Sequence, residues 1–360
     1  MARRWAILQV CVLVALVLYG VYASICLGDN RYMQIAVPDD DYFRGIVTRV
    51  RNGDNYYDVT AESLPQSRSL FNFRFPTYAW LFALAPNDEC IRWTFFGLSL
   101  LVALASIQVL LSEHSRWAQA LALTWIMGAT FAWCSYGDAH LTTEPWVGLL
   151  LLASITAYAA DRWVLGACLG LSALALRELA LPYLFVSAVF AWKEKRWREV
   201  VFWGLALTAF VIALQWHAWE VKARAELVES TRLEQWLRMP GYPFVLETAR
   251  MCIFLWLLPV WVSALVIPFS WLGLWAWKTP AGRRMGATVC CFSVAFLVVR
   301  GGGYWGLMYC PMLGFGLANI PAGIRELVHA IMPRPNLDAA NTAAPPTAER
   351  SETEVRGASE

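Results

Sequence analysis

WAILQVCVLVALVLYGVYASICL, residues 5–27, decides the fold. It carries no charged side chain and is longer than the roughly 20 residues a helix needs to cross about 30 Å of hydrocarbon. Only Met-Ala-Arg-Arg precedes it. The run is too long for a secretory signal and no convincing small-x-small cleavage site follows, so it is expected to stay as an anchor. Apolar runs of similar character recur near 91–111, 118–136, 145–160, 200–219, 250–277, 285–299 and 305–321. The stretch 164–192 is interrupted by Arg177 and Glu178. One helix there would place a charged pair at the bilayer centre, so the stretch reads as two short helices meeting on the far side. The expectation is an all-α polytopic membrane protein with about ten transmembrane helices.

Composition agrees. The chain is 58% hydrophobic and 16% charged, with a mean hydropathy of +0.46, where a soluble domain carries about 25% charged residues. With a net charge of only +2, nothing in the overall balance suggests a nucleic-acid partner, whose phosphates call for a strongly basic surface. No internal repeat is visible, which disfavours transporters built from repeats.

Short-loop cations set the orientation. Arg3, Arg4, Arg116, Arg162, the KEKRWR run at 193–198, Lys278, Arg283, Arg284 and Arg325 all fall on one side of a ten-span arrangement, which places both termini in the cytoplasm. The opposite, outer side then holds loops at about 28–90, 136–144 and 220–249. The tail 333–360, rich in Pro, Ala, Thr and charge, is expected to be disordered, leaving 1–332 as the membrane domain. Nine cysteines, at 11, 26, 90, 134, 168, 252, 290, 291 and 310, form no C-x-x-C pair and support neither a zinc nor a redox site. Cys26 and Cys90 bracket the first outer loop and could pair in an oxidising compartment, although nothing requires it.

Chemistry-bearing residues gather in the outer loops. The first reads PDDDYFRGIVTRVRNGDNYYD at 38–58 and FNFRFPTYAWLFALAP at 71–86. Asp39 or Asp40 alone could cap a helix over 42–51. Three adjacent carboxylates, Asp39, Asp40 and Asp41, repel and raise one another's pKa, an arrangement suited to a cation or to proton transfer. Tyr42, Phe43, Ile46, Val47 and Val50 recur at helical spacing with Arg44, Arg49 and Arg51 between them, as in a juxtamembrane amphipathic helix lying among headgroups. The loop YGDAHLTTEPW at 136–146 offers Asp138, His140, Thr143 and Glu144, with Pro145 in a first helical turn. Thr143 or Glu144 also reads as a cap, and Asp138-x-His140 is a weak motif for a divalent cation. Arg177 and Arg300, the latter in R-G-G-G-Y-W…Y-C-P at 300–311 with Tyr304 and Tyr309, bring cations to the same side. Glu178 or a headgroup phosphate is the simplest partner for Arg177.

The order of these features resembles the GT-C membrane glycosyltransferases. The nearest branch holds protein mannosyltransferases, lipid A aminoarabinose transferases and polyprenyl-phosphate-mannose-dependent mannosyltransferases. The resemblance spans roughly 1–215 and part of the last two spans, through short, degenerate motifs. It places the family's loop acids on Asp39 and Asp40, its aromatic on Tyr42, its Gly on Gly53, its Pro on Pro76, and a second acidic group on Glu144. Two positions depart from it: Asp40 where Glu is commoner, and Arg74-Phe75-Pro76-Thr77 where part of the branch has His-Pro-Pro. The resemblance implies a multi-pass protein of the plasma (inner) membrane that moves a sugar from a polyprenyl-phosphate carrier to a hydroxyl of a glycan, lipid or protein acceptor. Asp39 by preference, or Asp40, would be the general base in an inverting attack, with Arg177 or Arg300 and Tyr304 receiving the phosphate. Glu144, Asp138 and His140 would serve the acceptor side, and a divalent cation is an open requirement. A multi-pass transporter or flippase, or a lipid-linked glycan polymerase or ligase using the charged loop 220–249, remains the competing class.

Overall fold

The computed structural model describes residues 2–26, 40–64, 73–134, 139–224 and 237–332, with only the backbone given for Ala2, Cys26, Asp40, Asp41 and Cys134. Asp39, Asp138 and the 333–360 tail, expected to be disordered, lie outside the described residues. Among the described residues all regular structure is helical. In chain order the helices are α1 (Ala2–Cys26), α2 (Asp40–Arg51), α3 (Tyr56–Ser63), α4 (Thr77–Ala83), α5 (Asp88–Leu110), α6 (Arg116–Ala129) and the single turn α7 (Phe131–Cys134). They continue as α8 (Thr143–Ala159), α9 (Trp163–Leu176), α10 (Leu181–Lys193), α11 (Trp197–Arg224), α12 (Tyr242–Ala249) and the turn α13 (Ile253–Trp256). The last four are α14 (Val260–Ala276), α15 (Pro280–Val298), α16 (Cys310–Ala318) and α17 (Ile320–Ile331).

Helix starts follow local side-chain chemistry. Asn87 accepts from the Cys90 N–H at 2.9 Å, with Asp88 and Glu89 in the first turn of α5, and Thr279 accepts from the Gly282 N–H at 3.1 Å with Pro280 beside it. Gly53, at φ +100°, turns α2 towards α3, and Asn55 caps α3 by accepting from Tyr57 N–H at 2.9 Å.

Four of these helices, in α1, α5, α11 and α15, are long and apolar enough to cross a membrane. Only 17% of the most apolar window of α1, and 17% of that of α11, is buried within the chain. Leu18, Tyr22, Leu205 and Ile212 all stand exposed. Such faces are unfavourable in water and are matched by lipid, so this is a membrane-embedded helical protein. The protein interior is built round α8, where Val147, Leu149, Leu151, Leu152 and Ile155 are completely buried. That helix packs on α5, α9, α15, α16 and the 3₁₀ turn Gly303–Met308. Small residues allow the close approaches: a Cβ on Gly148 would strike the Leu307 carbonyl, and one on Gly273 would strike that of Gly316.

Arg177 and Glu178 do separate two short helices, α9 and α10. Three expected spans are revised. The 118–136 run breaks after Ala129, where the Thr130 hydroxyl turns back to the Ile126 carbonyl at 2.8 Å. The 250–277 run holds only the turn α13 before its long helix begins at Val260, after Pro259, and buried Arg250 donates to the Leu258 carbonyl at 2.9 Å and that of Trp256 at 3.4 Å. A guanidinium thus occupies carbonyls that the break released from helical pairing. The 305–321 run is a 3₁₀ turn, then α16, then the start of amphipathic α17. Helix α2 also departs from expectation: Phe43, Ile46 and Val47 are buried against protein rather than laid among headgroups. Cys90 is a free thiol, and the side chain of Cys26 lies outside those described.

Polar contacts gather the helix ends into two poles. At one, Arg51 meets Asp88 at 2.9 Å, Arg224 meets Asp58 at 2.7 Å, and Glu144 meets arginines from two distant segments. At the other, His114 meets Asn319 at 3.0 Å, Lys278 meets Glu326 at 3.2 Å, and Tyr158 donates to Glu199 at 2.6 Å while Arg284 stacks 3.6 Å over the Tyr158 ring. A contrast of two glycines checks the packing. Gly148→Leu is expected to lower stability by about 1–3 kcal/mol through overpacking. Gly204→Leu, with nothing within 4 Å of its would-be Cβ, should leave thermal unfolding in detergent unchanged or slightly raised; equal losses would contradict the α8 packing.

Candidate functional site

The charged centre of the first pole is Glu144, in the first turn of α8 and completely buried. A carboxylate there gains from the helix dipole, but burial demands partners of opposite charge. Arg74 approaches with Nη2 3.3 Å from Oε1 and Nη1 3.4 Å from Oε2. Arg177, where α9 gives way to α10, brings Nε to 3.2 Å from Oε1 and holds Glu178 at 3.1 Å through Nη1. Thr143 donates its hydroxyl to Oε2 at 3.2 Å. Both guanidiniums are almost fully buried. All five of these contacts exceed the roughly 2.7–2.9 Å of strong charge-assisted bonds. Nε and Nη1 of Arg177 consequently have ion-pair partners but no well-aligned hydrogen bond. Two arginines and two carboxylates therefore meet with donor capacity left over.

Arg74 is positioned by its neighbours on every side. Its guanidinium lies 4.2 Å over the Phe43 ring of α2, its carbonyl accepts from Tyr56 at 2.6 Å, and Nη2 reaches the Tyr304 hydroxyl at 3.5 Å. Burial alone would lower its pKa, but Glu144 and Tyr304 hold it above the ordinary value. The preceding residue is fixed from α11: His217 Nε2 lies 2.9 Å from the Phe73 carbonyl and Nδ1 3.0 Å from the Tyr57 hydroxyl. A carbonyl can only accept, so Nε2 carries the proton and Nδ1 accepts from Tyr57. Phe75 stacks on the same imidazole at 4.9 Å.

Glu144, Arg177 and Tyr304 are thus brought together. His140 is buried in the turn Ala139–Leu141, which packs against α2, and its carbonyl accepts from the Trp146 indole at 2.8 Å. Arg300 is exposed and stands outside the Glu144 cluster. Its nearest electrostatic effect is on Glu247, whose pKa burial raises while Arg300 and Arg250 pull it back. Asp40 opens α2, and Tyr42 and Phe43 in the next positions adjoin Arg74, so the acidic triplet leads directly into the cluster. Asp39 and Asp138 lie outside the described residues. Among those described, no group of three or more His, Cys, Asp or Glu could hold a metal. Arg74, Tyr57 and His217 were not singled out from sequence. A lone cation inside the aromatic run FNFRFP was the available signal for the first, since a charge among apolar residues needs a partner.

No family model, curated protein or solved structure matches this chain.

The cluster predicts strong coupling. Glu144→Gln should destabilise by about 3–5 kcal/mol, because two buried guanidiniums lose their counter-charge. Adding Arg74→Gln should cost less than the sum of the single losses in a double-mutant cycle of thermal stability; additive losses would show that the pair does not interact.

Proposed function

We propose that this chain is a GT-C-type membrane glycosyltransferase that uses a polyprenyl-phosphate sugar. The observation that carries the reading is the meeting of buried Arg74 and Arg177 on Glu144 where α2 follows the acidic triplet. An acceptor O–H gives its proton to Asp39, or to Asp40, as its oxygen bonds to the anomeric carbon. The bond from that carbon to phosphate oxygen breaks, and polyprenyl phosphate leaves with the electron pair. Arg177 and Arg74, with Tyr304 beside them, supply donors for that anion. A phosphate competing with Glu144 and Glu178 would take up the donor capacity that the long contacts leave unused.

The reading needs ten crossings, by α1, α5, α6, α8, α9, α10, α11, α14, α15 and the 305–321 segment that contains α16. Support for this phase comes from the contacts that sort helix ends into two poles, one rich in the short-loop cations of 193–198 and 278–284. With that pole cytoplasmic, both termini are inside and the Glu144 cluster lies at the outer face of the plasma membrane. Single cysteines replacing Asp54 and Lys195 in a cysteine-free background should then label from opposite sides with an impermeant maleimide. Labelling from one side would refute the topology.

The activity test incubates membranes with labelled polyprenyl-phosphate sugars and follows transfer to endogenous acceptors. Loss of the base, in Asp39→Asn or Asp40→Asn, should reduce transfer by roughly 10²–10⁴-fold, and Arg177→Gln by about 10²–10³-fold. Full transfer in both aspartate variants would sink the mechanism. The complete burial of Glu144 between cations favours one competitor, an ion-coupled transporter. Proton- or sodium-driven uptake abolished by Glu144→Gln, without sugar transfer by the wild type, would establish that instead.

A further inference from the structure

A second feature lies in the membrane wall, away from the Glu144 cluster. Between α1, α14 and α15 runs a cavity of about 620 Å³, walled by Leu16, Leu274, Ala287, Val294 and Leu297 among other apolar side chains. Lys278 and Arg283 stand on it at the pole opposite Glu144. Lys278 is engaged by Glu326 at 3.2 Å and by the Trp275 carbonyl at 2.9 Å. Arg283 is exposed and forms no ion pair among the described residues. A cation at the mouth of an apolar shaft fits an amphiphile with an anionic head.

The walls carry a second signal. The Tyr242 hydroxyl and the Trp271 indole N–H, whose rings lie 6.0 Å apart, are both buried without a hydrogen-bond partner. Tyr242 is only 7% exposed, and a donor so placed is unfavourable unless an acceptor reaches it. Trp271 lies on α14 seven residues before Lys278, which stands just beyond the end of that helix, about 10 Å at helical rise. An acceptor here would sit just below a headgroup held at the mouth.

We propose that this groove binds an anionic glycerophospholipid, its phosphate against Arg283 and Lys278, an ester carbonyl near Trp271 and Tyr242, and one acyl chain in the shaft. A polyprenyl phosphate shares the anionic head but has no carbonyl for the wall donors, and its chain is too long for 620 Å³. This site does not depend on glycosyl transfer and faces the opposite leaflet from the proposed sugar chemistry.

The test uses the full chain reconstituted in phosphatidylcholine vesicles containing a phosphatidylglycerol analogue with a photoactivatable diazirine in one acyl chain. Crosslinks are expected in the 286–297 segment. They should be competed by unlabelled phosphatidylglycerol but not by phosphatidylcholine. Removing each cation, in Arg283→Gln and Lys278→Gln, should weaken labelling roughly fivefold. Trp271→Phe, which keeps the ring and removes the donor, should also weaken it, and Arg325→Gln, outside the groove, should not. Arg283→Gln changes an exposed side chain with no ion pair to lose, so misfolding would not obscure its result. Equal labelling by a phosphatidylcholine analogue, stronger competition by polyprenyl phosphate, or unchanged labelling in Arg283→Gln would each overturn the proposal.

Discussion

One buried carboxylate organises this molecule. Glu144 cannot stay charged inside the protein without counter-charges, and those come from Arg74, seventy residues earlier, and Arg177, at a helix junction. The consequence is architectural before it is chemical. The first loop must fold back far enough to deliver Arg74, and α9 and α10 must part where they do to deliver Arg177. Tyr304 is drawn into the same place from the other end of the chain. The aromatic support of Arg74, from Phe43, Tyr56 and the His217–Phe73 contact, then reads as the apparatus that keeps one cation in register.

The same centre is what gives the glycosyl-transfer reading physical content. A lipid-linked phosphate is large and charged, and its release needs donors already aligned rather than recruited from water. In that proposal the two guanidiniums, held by carboxylates at long distances, would exchange partners, the internal carboxylate and the incoming phosphate competing for the same donors. Arg300, by contrast, is an exposed neighbour of Glu247, and in the proposed reading Arg74 is added beside Arg177 as a donor to the phosphate.

Much of the helical plan was legible because hydrocarbon permits few solutions for a backbone. Uninterrupted runs such as 5–27 and 91–111 became helices nearly where expected, and the Arg177–Glu178 pair marked its break through the cost of burying charge. Helix ends near 129, 250–259 and 303–309 were not legible. Those are decided by tertiary partners: Arg250 satisfies the carbonyls at one break, and the 303–308 turn is admitted only because Gly306 lies against the Thr248 backbone. In the site, Glu144 and Arg177 announced themselves as charges in apolar company. Arg74 sat in a loop read for its departure from a motif, and nothing local to Tyr57 or His217 revealed that they meet across the chain.

Helix α1 has a further implication, for the order of synthesis. Within the chain it packs on α12, α14 and α17, all encoded more than 200 residues downstream. Among the described residues, its main packing partners are therefore made only long after α1 itself has been synthesised. Until then lipid, or the cell's insertion machinery, must shelter it. A chain interrupted anywhere before α12 would leave α1 without these partners, an unpaired span by which a quality-control protease could recognise an unfinished product.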